Sequence, residues 1–498
     1  MKVAPIKYIC LERKGIMISL FASLAVLLIG YFVYGRFVEK VFSPDDRQTP
    51  AISKNDGVDF VPMKTWKSFL IQLLNIAGTG PIFGALMGAV FGPVVFLWIV
   101  IGSILGGAVH DYMSGMISSR HDGMSIAELS GTYLGKAAKL VMRVFSVVLL
   151  VLCGTVFVTS PAGLLSRLTP DWMNATFWAV VILVYYLLAT LLPIDKVIGK
   201  LYPIFGVLLI VMALAVIGGI LFSGGKYVIP EITLKNLHPD GTPIWPYMFI
   251  TVACGAVSGF HATQSPMIAK CITSEREGRR VFYGAMISES VIALVWAAAG
   301  VAFYGTTQLL NQALASGASN VVYEISTGVL GVFGGILAVA GVIICPITSG
   351  DTAFRSARLI LAESFRLNQK SFKNRLLITV PLLVIGGLLT WFAIVNDNGF
   401  QVIWRYFSWS NQTLAMIALW VSTAYLLKEG RYRFGSLLTA IPAVFMTAVS
   451  TTYILIAEEG FLLDQTVSYV IGAAVALALG CVYSVFLCKK ISTGSKAG

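Results

Sequence analysis

Long apolar runs separated by short polar gaps dominate the chain. Thirteen stretches are apolar over about the 20 residues that a spanning helix needs: 16–35, 66–90, 93–117, 138–162, 175–192, 199–222, 245–270, 281–304, 325–350, 375–395, 402–427, 435–456 and 466–488. They predict an all-α polytopic membrane protein. The first run follows Lys7, Arg13 and Lys14, as a signal peptide's would. It ends, however, in Tyr31-Phe-Val-Tyr-Gly-Arg36, an interfacial close without a small-residue cleavage site, and is read as a retained helix. The stretch 36–65, with Ser43-Pro-Asp-Asp46 and Asn55-Asp-Gly57, reads as a polar loop.

Three segments break the rule that backbone at membrane depth is hydrogen-bonded within its own helix. In Asn75-Ile-Ala-Gly-Thr-Gly-Pro-Ile-Phe-Gly84 the residues Gly78, Gly80 and Pro81 fall midway along a span. Unwinding there would expose carbonyls before the break and amides after it, with Thr79 between them. The structural alternative is a kink or close helix packing through glycine. The segment Ala253–Pro266 places Ser258, Gly259, His261, Thr263 and Gln264 inside a run entered at Trp245 and closed by Lys270, too polar to face lipid. His261 suits contact with a carboxylate substrate or carriage of a proton; the alternative is a structural hydrogen bond between helices. The third segment, Cys345–Arg355, sets Thr348, Ser349 and Asp351 among Pro346 and Gly350, which are expected to loosen the helix. Hydroxyls and a carboxylate suit a small hard cation or a proton, and the alternative is Asp351 paired to Arg355 at i,i+4.

The first two breaks open successive blocks of five spans, 66–222 and 245–427, which run in opposite senses because five is odd. That pattern predicts a LeuT-like 5+5 inverted repeat with one extra N-terminal and two extra C-terminal helices. The expected division is 1–65 (helix and loop), 66–222 (first repeat), 223–427 (second repeat) and 428–498 (two helices and a tail).

Composition narrows the function. Charged residues are only 12% of the chain and mean hydropathy is +0.82, so most side chains never meet water. The net charge of +12 lies in the gaps between apolar runs, where topology is written, and not in a basic stripe for nucleic acid. With the helix from Trp66 starting in the cytoplasm, 28 of 36 Lys and Arg fall on the cytoplasmic side, which sets the C-terminus there. The seven cysteines are scattered, and Cys153, Cys254, Cys271, Cys345 and Cys481 read as small buried residues. Neither they nor the four histidines show metal-ligand or nucleophile spacing, so no cofactor, metal centre or enzyme is indicated. Glu289 lies eight residues into its segment, about 12 Å deep, a candidate proton carrier. His110-Asp111 and Glu324 lie near helix ends and read as interfacial anchors. Arg405 suits either an anion or an aromatic belt.

The runs Asp56-Gly-Val-Asp-Phe-Val-Pro62, Ile76-Ala-Gly-Thr-Gly-Pro81, Gly106-Gly-Ala-Val-His-Asp-Tyr112, Ser258-Gly-Phe-His-Ala-Thr-Gln-Ser-Pro266 and Trp404-Arg-Tyr-Phe407 occur in order. In them the chain resembles the carbon starvation protein A family from about residue 43 to at least 412. The resemblance implies a bacterial or archaeal inner-membrane permease of the amino acid–polyamine–organocation superfamily. It implies uptake of peptides, or in some members pyruvate, during nutrient limitation, driven by the proton gradient. The chain is shorter than the longer members. The LeuT-like analogy adds a cation site between carbonyls around Ala77 to Gly80 and the hydroxyls of Thr348 and Ser349, taking Na⁺, or a proton relay through His261, Glu289 or Asp351. The rival expectation is a membrane nutrient sensor or regulatory partner that binds its ligand without accumulating it.

Overall fold

A computed structural model describes residues 17–57, 59–191, 194–369, 371–396 and 398–494. The basic tail with Lys7, Cys10, Arg13 and Lys14, and the end of the C-terminal tail, lie outside the described residues. Helix α1 (Ile18–Phe42) precedes a bent pair, α2 (Thr65–Ala77) and α3 (Gly80–Ala89). Then come α4 (Val94–Arg120), a short α5 (Ile126–Leu134), α6 (Lys136–Leu168), α7 (Ala175–Leu191) and α8 (Ile194–Leu221). The second broken pair is α9 (Ile244–Thr251) and α10 (Gly259–Ala269). It is followed by α11 (Glu275–Tyr304), α12 (Thr307–Ala315), α13 (Ala318–Val339), α14 (Cys345–Phe365), α15 (Phe372–Val395) and α16 (Gly399–Glu429). Helices α17 (Leu437–Ile456) and α18 (Gln465–Gly494) close the chain.

Among the described residues nine helices are long and apolar enough to cross a membrane, ten if the bent α2–α3 pair is one span. The three remaining expected stretches differ for physical reasons. Helix α7 has 17 residues, the α9–α10 stretch is interrupted, and α16 is 31 residues long but carries polar side chains toward its neighbours. The expected span 325–350 is part of a longer run: a π-helical turn, Ala340–Ile344, joins α13 to α14, which continues to Phe365. Pro346 follows the π turn with no break in the run, Ile344 still being helical (φ −72°, ψ −44°), so its ring and missing N–H fall where the helix is already widened. Gly350 is helical, and a Cβ there would lie 2.0 Å from the Tyr186 hydroxyl. The expected loosening is therefore displaced to the π turn, and Gly350 serves close packing.

The first break follows directly from the sequence. Gly78 has φ 40° and ψ −134°, a conformation open to glycine, and Pro81 can begin α3 but not continue α2. The two halves meet at 47°. At the second break residues 252–258 are not helical, and Ser258 is extended (φ −146°, ψ 123°). Elsewhere local signals suffice. Ser125-Ile-Ala-Glu128 caps α5, with the Glu128 N–H donating to Ser125 Oγ at 3.4 Å, and left-handed Gly305 (φ 74°) ends α11.

Burial ranks the helices. Over their most apolar windows α4 and α11 are 83% buried, while α1 is 28% and α18 17%, so the broken pairs and their partners form the centre. Cys153, Cys254, Cys271 and Cys345 are buried, but Cys481 is exposed because α18 is peripheral. Polar contacts gather at two ends. At one, Glu275 meets Arg120, Arg47 and the Asp45 N–H. At the other, Glu231 accepts from the Ile18 and Ser19 N–H groups, Asn311 donates to Asp240, and Arg405 faces Glu458 and Glu459 at 3.5 and 3.3 Å.

Candidate functional site

The two breaks face one another. A Cβ on Gly80 would lie 2.4 Å from Cys254 in the second break, so only glycine lets the unwound segments approach this closely. Both ends of the second break are held from α16. Asn411 Oδ1 accepts from the Phe260 N–H at 2.6 Å and the Ser258 hydroxyl at 3.2 Å. The neighbouring Gln412 donates Nε2 to the carbonyls of Phe249 and Ala253 at 3.2 and 3.3 Å. These are the amides and carbonyls that an interrupted helix orphans. The Asn-Gln dipeptide is legible in the sequence; its target, about 150 residues earlier, is not.

Beside the second break runs a chain of buried ionisable groups from three helices. His110 Nδ1 is 2.8 Å from Asp111 Oδ1, and Asp111 Oδ2 is 2.8 Å from His261 Nδ1. His261 Nε2 lies 3.3 Å from Glu289 Oε2, a close contact not aligned as a hydrogen bond. All four side chains are fully buried. His110 and Asp111 stand on α4, His261 in the first turn of α10, and Glu289 on α11. The reading of His110-Asp111 as an interfacial anchor is thus corrected. Helix α4 continues to Arg120, which leaves the pair about three turns inside it. An acid inside an apolar window was the available signal.

Other expected residues fall around this centre. The Thr79 hydroxyl and both amide atoms of Asn75 are buried without a hydrogen-bond partner among the described residues. Asn75 shares one buried face of α2 with Ser68 and Gln72, at i, i+4 and i+7, and from it Gln72 Nε2 donates to Ser265 Oγ of α10 at 3.2 Å. Sequence reading missed this stripe, although its helical period was present. Thr263 donates to the Phe260 carbonyl, and Gln264 donates to Thr263 and to Ser356 of α14. A cavity of about 320 Å³ between α10 and α14 reaches from Lys270, Glu363 and Arg366 to Thr263 and Ser356.

On α14, Ser349 donates to the Leu74 carbonyl at 3.0 Å, one turn before Ala77 and Gly78, while Thr348 donates to Cys345 of its own helix. Asp351 accepts from the Tyr202 hydroxyl at 3.1 Å and lies 3.9 Å from Arg355. It therefore belongs to a group built on α8 and α14, separate in its elements from the His261 chain. Among the described residues no group of three or more His, Cys, Asp or Glu is arranged to hold a metal ion.

Comparison with known proteins agrees with this architecture. The chain is 44% identical over 354 residues to an uncharacterized membrane protein of Haemophilus influenzae, covering 61% of this chain and 95% of that one. It is 27% identical to the peptide transporter CstA of Campylobacter jejuni, covering 92% of this chain and 82% of that one. It is 26% identical to the pyruvate/proton symporter BtsT of Escherichia coli, with 88% and 82% covered. Among solved structures, a manganese transporter of Eremococcus coleocola aligns with a TM-score of 0.56 at 14% identity over 88% of this chain and 98% of that one. Inward-facing Mhp1 aligns at 0.52 and 17% over 87% and 94%. These structures share the fold, an all-helical LeuT-like 5+5 core. The sequence pattern of the Carbon starvation protein CstA family matches residues 15–171, 166–305 and 304–453, and the chain belongs to that family.

Proposed function

We propose that this chain is a secondary active transporter that imports a small carboxylate-bearing nutrient, a peptide or pyruvate, by proton symport. One observation carries the reading: His261, a titratable side chain fully buried in the first turn of a half-helix, contacts carboxylates from two other helices. Ionisable groups at such depth are expensive and mark ion or proton pathways. Relatives named as a peptide transporter and a pyruvate/proton symporter support the substrate class and the coupling ion.

The substrate carboxylate sits at the facing breaks, against Gly78, Thr79 and Gly80 on one side and Ser258, Gly259, Thr263 and Gln264 on the other. The buried Thr79 hydroxyl, without a partner among the described residues, favours this position. His261 and Glu289 exchange the coupled proton. Ala77, Thr348 and Ser349 line the place where a Na⁺ would lie in a sodium-coupled variant of the cycle, and Asp351 tunes the α8–α14 side. The protein resides in the cytoplasmic membrane of a bacterium or archaeon, C-terminus inside, as the charge distribution favours.

The test is uptake of labelled pyruvate and labelled dialanine into proteoliposomes, with and without an imposed inward proton gradient. Accumulation of either solute, abolished by a protonophore, is the expected result. Accumulation of neither, under a proton or a Na⁺ gradient, overturns the reading in favour of a sensor that binds without transport.

A further inference from the structure

Asp111 has no role in the exchange described so far, yet it makes the shorter and better aligned of the two carboxylate contacts to His261. An imidazole has two distinct nitrogens, and the partner of one decides what the other can do. Here Nδ1 faces Asp111 Oδ2 at 2.8 Å and Nε2 faces Glu289 at 3.3 Å. A carboxylate that accepts the Nδ1–H fixes the ring and its tautomer, leaving Nε2 as the nitrogen that gains and loses a proton. Asp111 is itself pinned through Oδ1 by His110 Nδ1 from the same helix, so it cannot swing away as α10 moves. Glu289 is not held in this way: neither of its carboxylate oxygens makes a hydrogen bond among the described residues.

We propose that Asp111 is the positioning residue of the coupling step: it holds His261 Nδ1–H and aims Nε2 at Glu289, so that one proton passes between the Glu289 carboxyl and His261 Nε2. The transfer is balanced within the pair. The O–H bond of Glu289 breaks, an N–H bond forms on Nε2, and the imidazolium is stabilised by the unchanged Asp111 carboxylate. The groups facing His261 from its neighbours are Asp111 on α4, with His110 behind it, Glu289 on α11 and the Cys254 thiol in the break. The flanking side chains from α16 and α2, Asn411 and Gln72, do not titrate. The inference rests on the proton-symport reading above, and the experiment separates the two.

Two activities are compared in proteoliposomes, using labelled pyruvate and labelled dialanine: counterflow between equal pH values, which needs no net proton movement, and accumulation driven by a pH gradient. For Asp111→Asn, counterflow is expected to stay within about threefold of wild type, while gradient-driven accumulation falls by about tenfold or more, because a ring without its Nδ1–H acceptor loses the tautomer that aims Nε2 at Glu289. Asp111→Glu, which still accepts the Nδ1–H, is expected to restore accumulation with a displaced pH midpoint. Wild type that counterflows but never accumulates under a proton gradient sinks the symport reading itself. Asp111→Asn that accumulates like wild type with an unchanged pH profile overturns the assignment of Asp111 and leaves symport standing. Equal loss of counterflow and accumulation in a folded Asp111→Asn protein also overturns it, since Asp111 would then serve binding or structure. If that variant does not fold, Asp111→Glu decides: an unmoved pH midpoint refutes the proposal.

Discussion

Asn411 shows how much can hang on one side chain. Its Oδ1 accepts from the Phe260 N–H, an orphan donor at the start of α10 with no water in reach at that depth. Asn411→Ala strands a buried amide, and unfolding measured by thermal denaturation in detergent is expected to lose about 1–3 kcal/mol. Asn411→Asp keeps the acceptor and should lose less. Gly78 tests a different physical cause. Its φ of 40° is costly for any residue with a Cβ, and that Cβ would also stand 2.5 Å from Phe157. Gly78→Ala is therefore expected to cost about 1–3 kcal/mol in backbone strain before the clash is counted, and to abolish uptake while α2 still inserts. The two residues differ in legibility. Gly78 announced itself through Gly-Thr-Gly-Pro, because backbone rules are local. Asn411 and Asp111 act on partners about 150 residues away, and nothing in their own neighbourhood says which carbonyl, amide or imidazole they will meet.

Between elements, a polar joint outside the broken helices is built on Glu275, at the start of α11. It accepts two hydrogen bonds from Arg120 at 2.8 Å, from Nε and Nη2, while Arg120 also reaches the Tyr425 hydroxyl and the Ser43 carbonyl. Four segments are thus tied by one fork: the ends of α4 and α16, the start of α11 and the loop after α1. Glu275 is 1% exposed, so removing its charge leaves a guanidinium with little water to replace it. Glu275→Gln is expected to destabilise the fold by about 3 kcal/mol, whereas Tyr425→Phe, which removes one hydroxyl acceptor, should cost about 1 kcal/mol. Thermal denaturation of the two variants side by side checks the ratio. At this scale the sequence was legible in kind but not in extent. Apolar runs located the helices, and glycine with proline located the breaks. Hydropathy ended the 325–350 stretch too early, because α14 continues past the apolar window on buried polar side chains such as Thr352 and Ser356.

Across the whole molecule, the loops divide into two ends that agree with the parity of the spans. The loop at 43–47, the end of α4, the start of α11 and the end of α16 share contacts at one end; Glu231, Asp240, Asn311, Arg405 and Glu458 mark the other. Most Lys and Arg belong to the first end, which the orientation proposed above puts in the cytoplasm on the positive-inside rule. The cavity that runs from Lys270 and Arg366 to Thr263 opens toward that same end. If the orientation holds, a solute released from the breaks leaves along α10 and α14 into the cytoplasm. Two exposed acids at opposite ends supply the check: Asp46 and Glu458, with side chains 81% and 79% exposed. In a background where Cys10, Cys481 and Cys488 are replaced by serine, Glu458→Cys is expected to react with a membrane-impermeant maleimide on intact cells, and Asp46→Cys only in inverted vesicles. The opposite pattern would turn the cavity outward and make it an entrance. The direction of transport proposed here would then have to be carried by a different opening, while the buried histidine and its two carboxylates would keep their role.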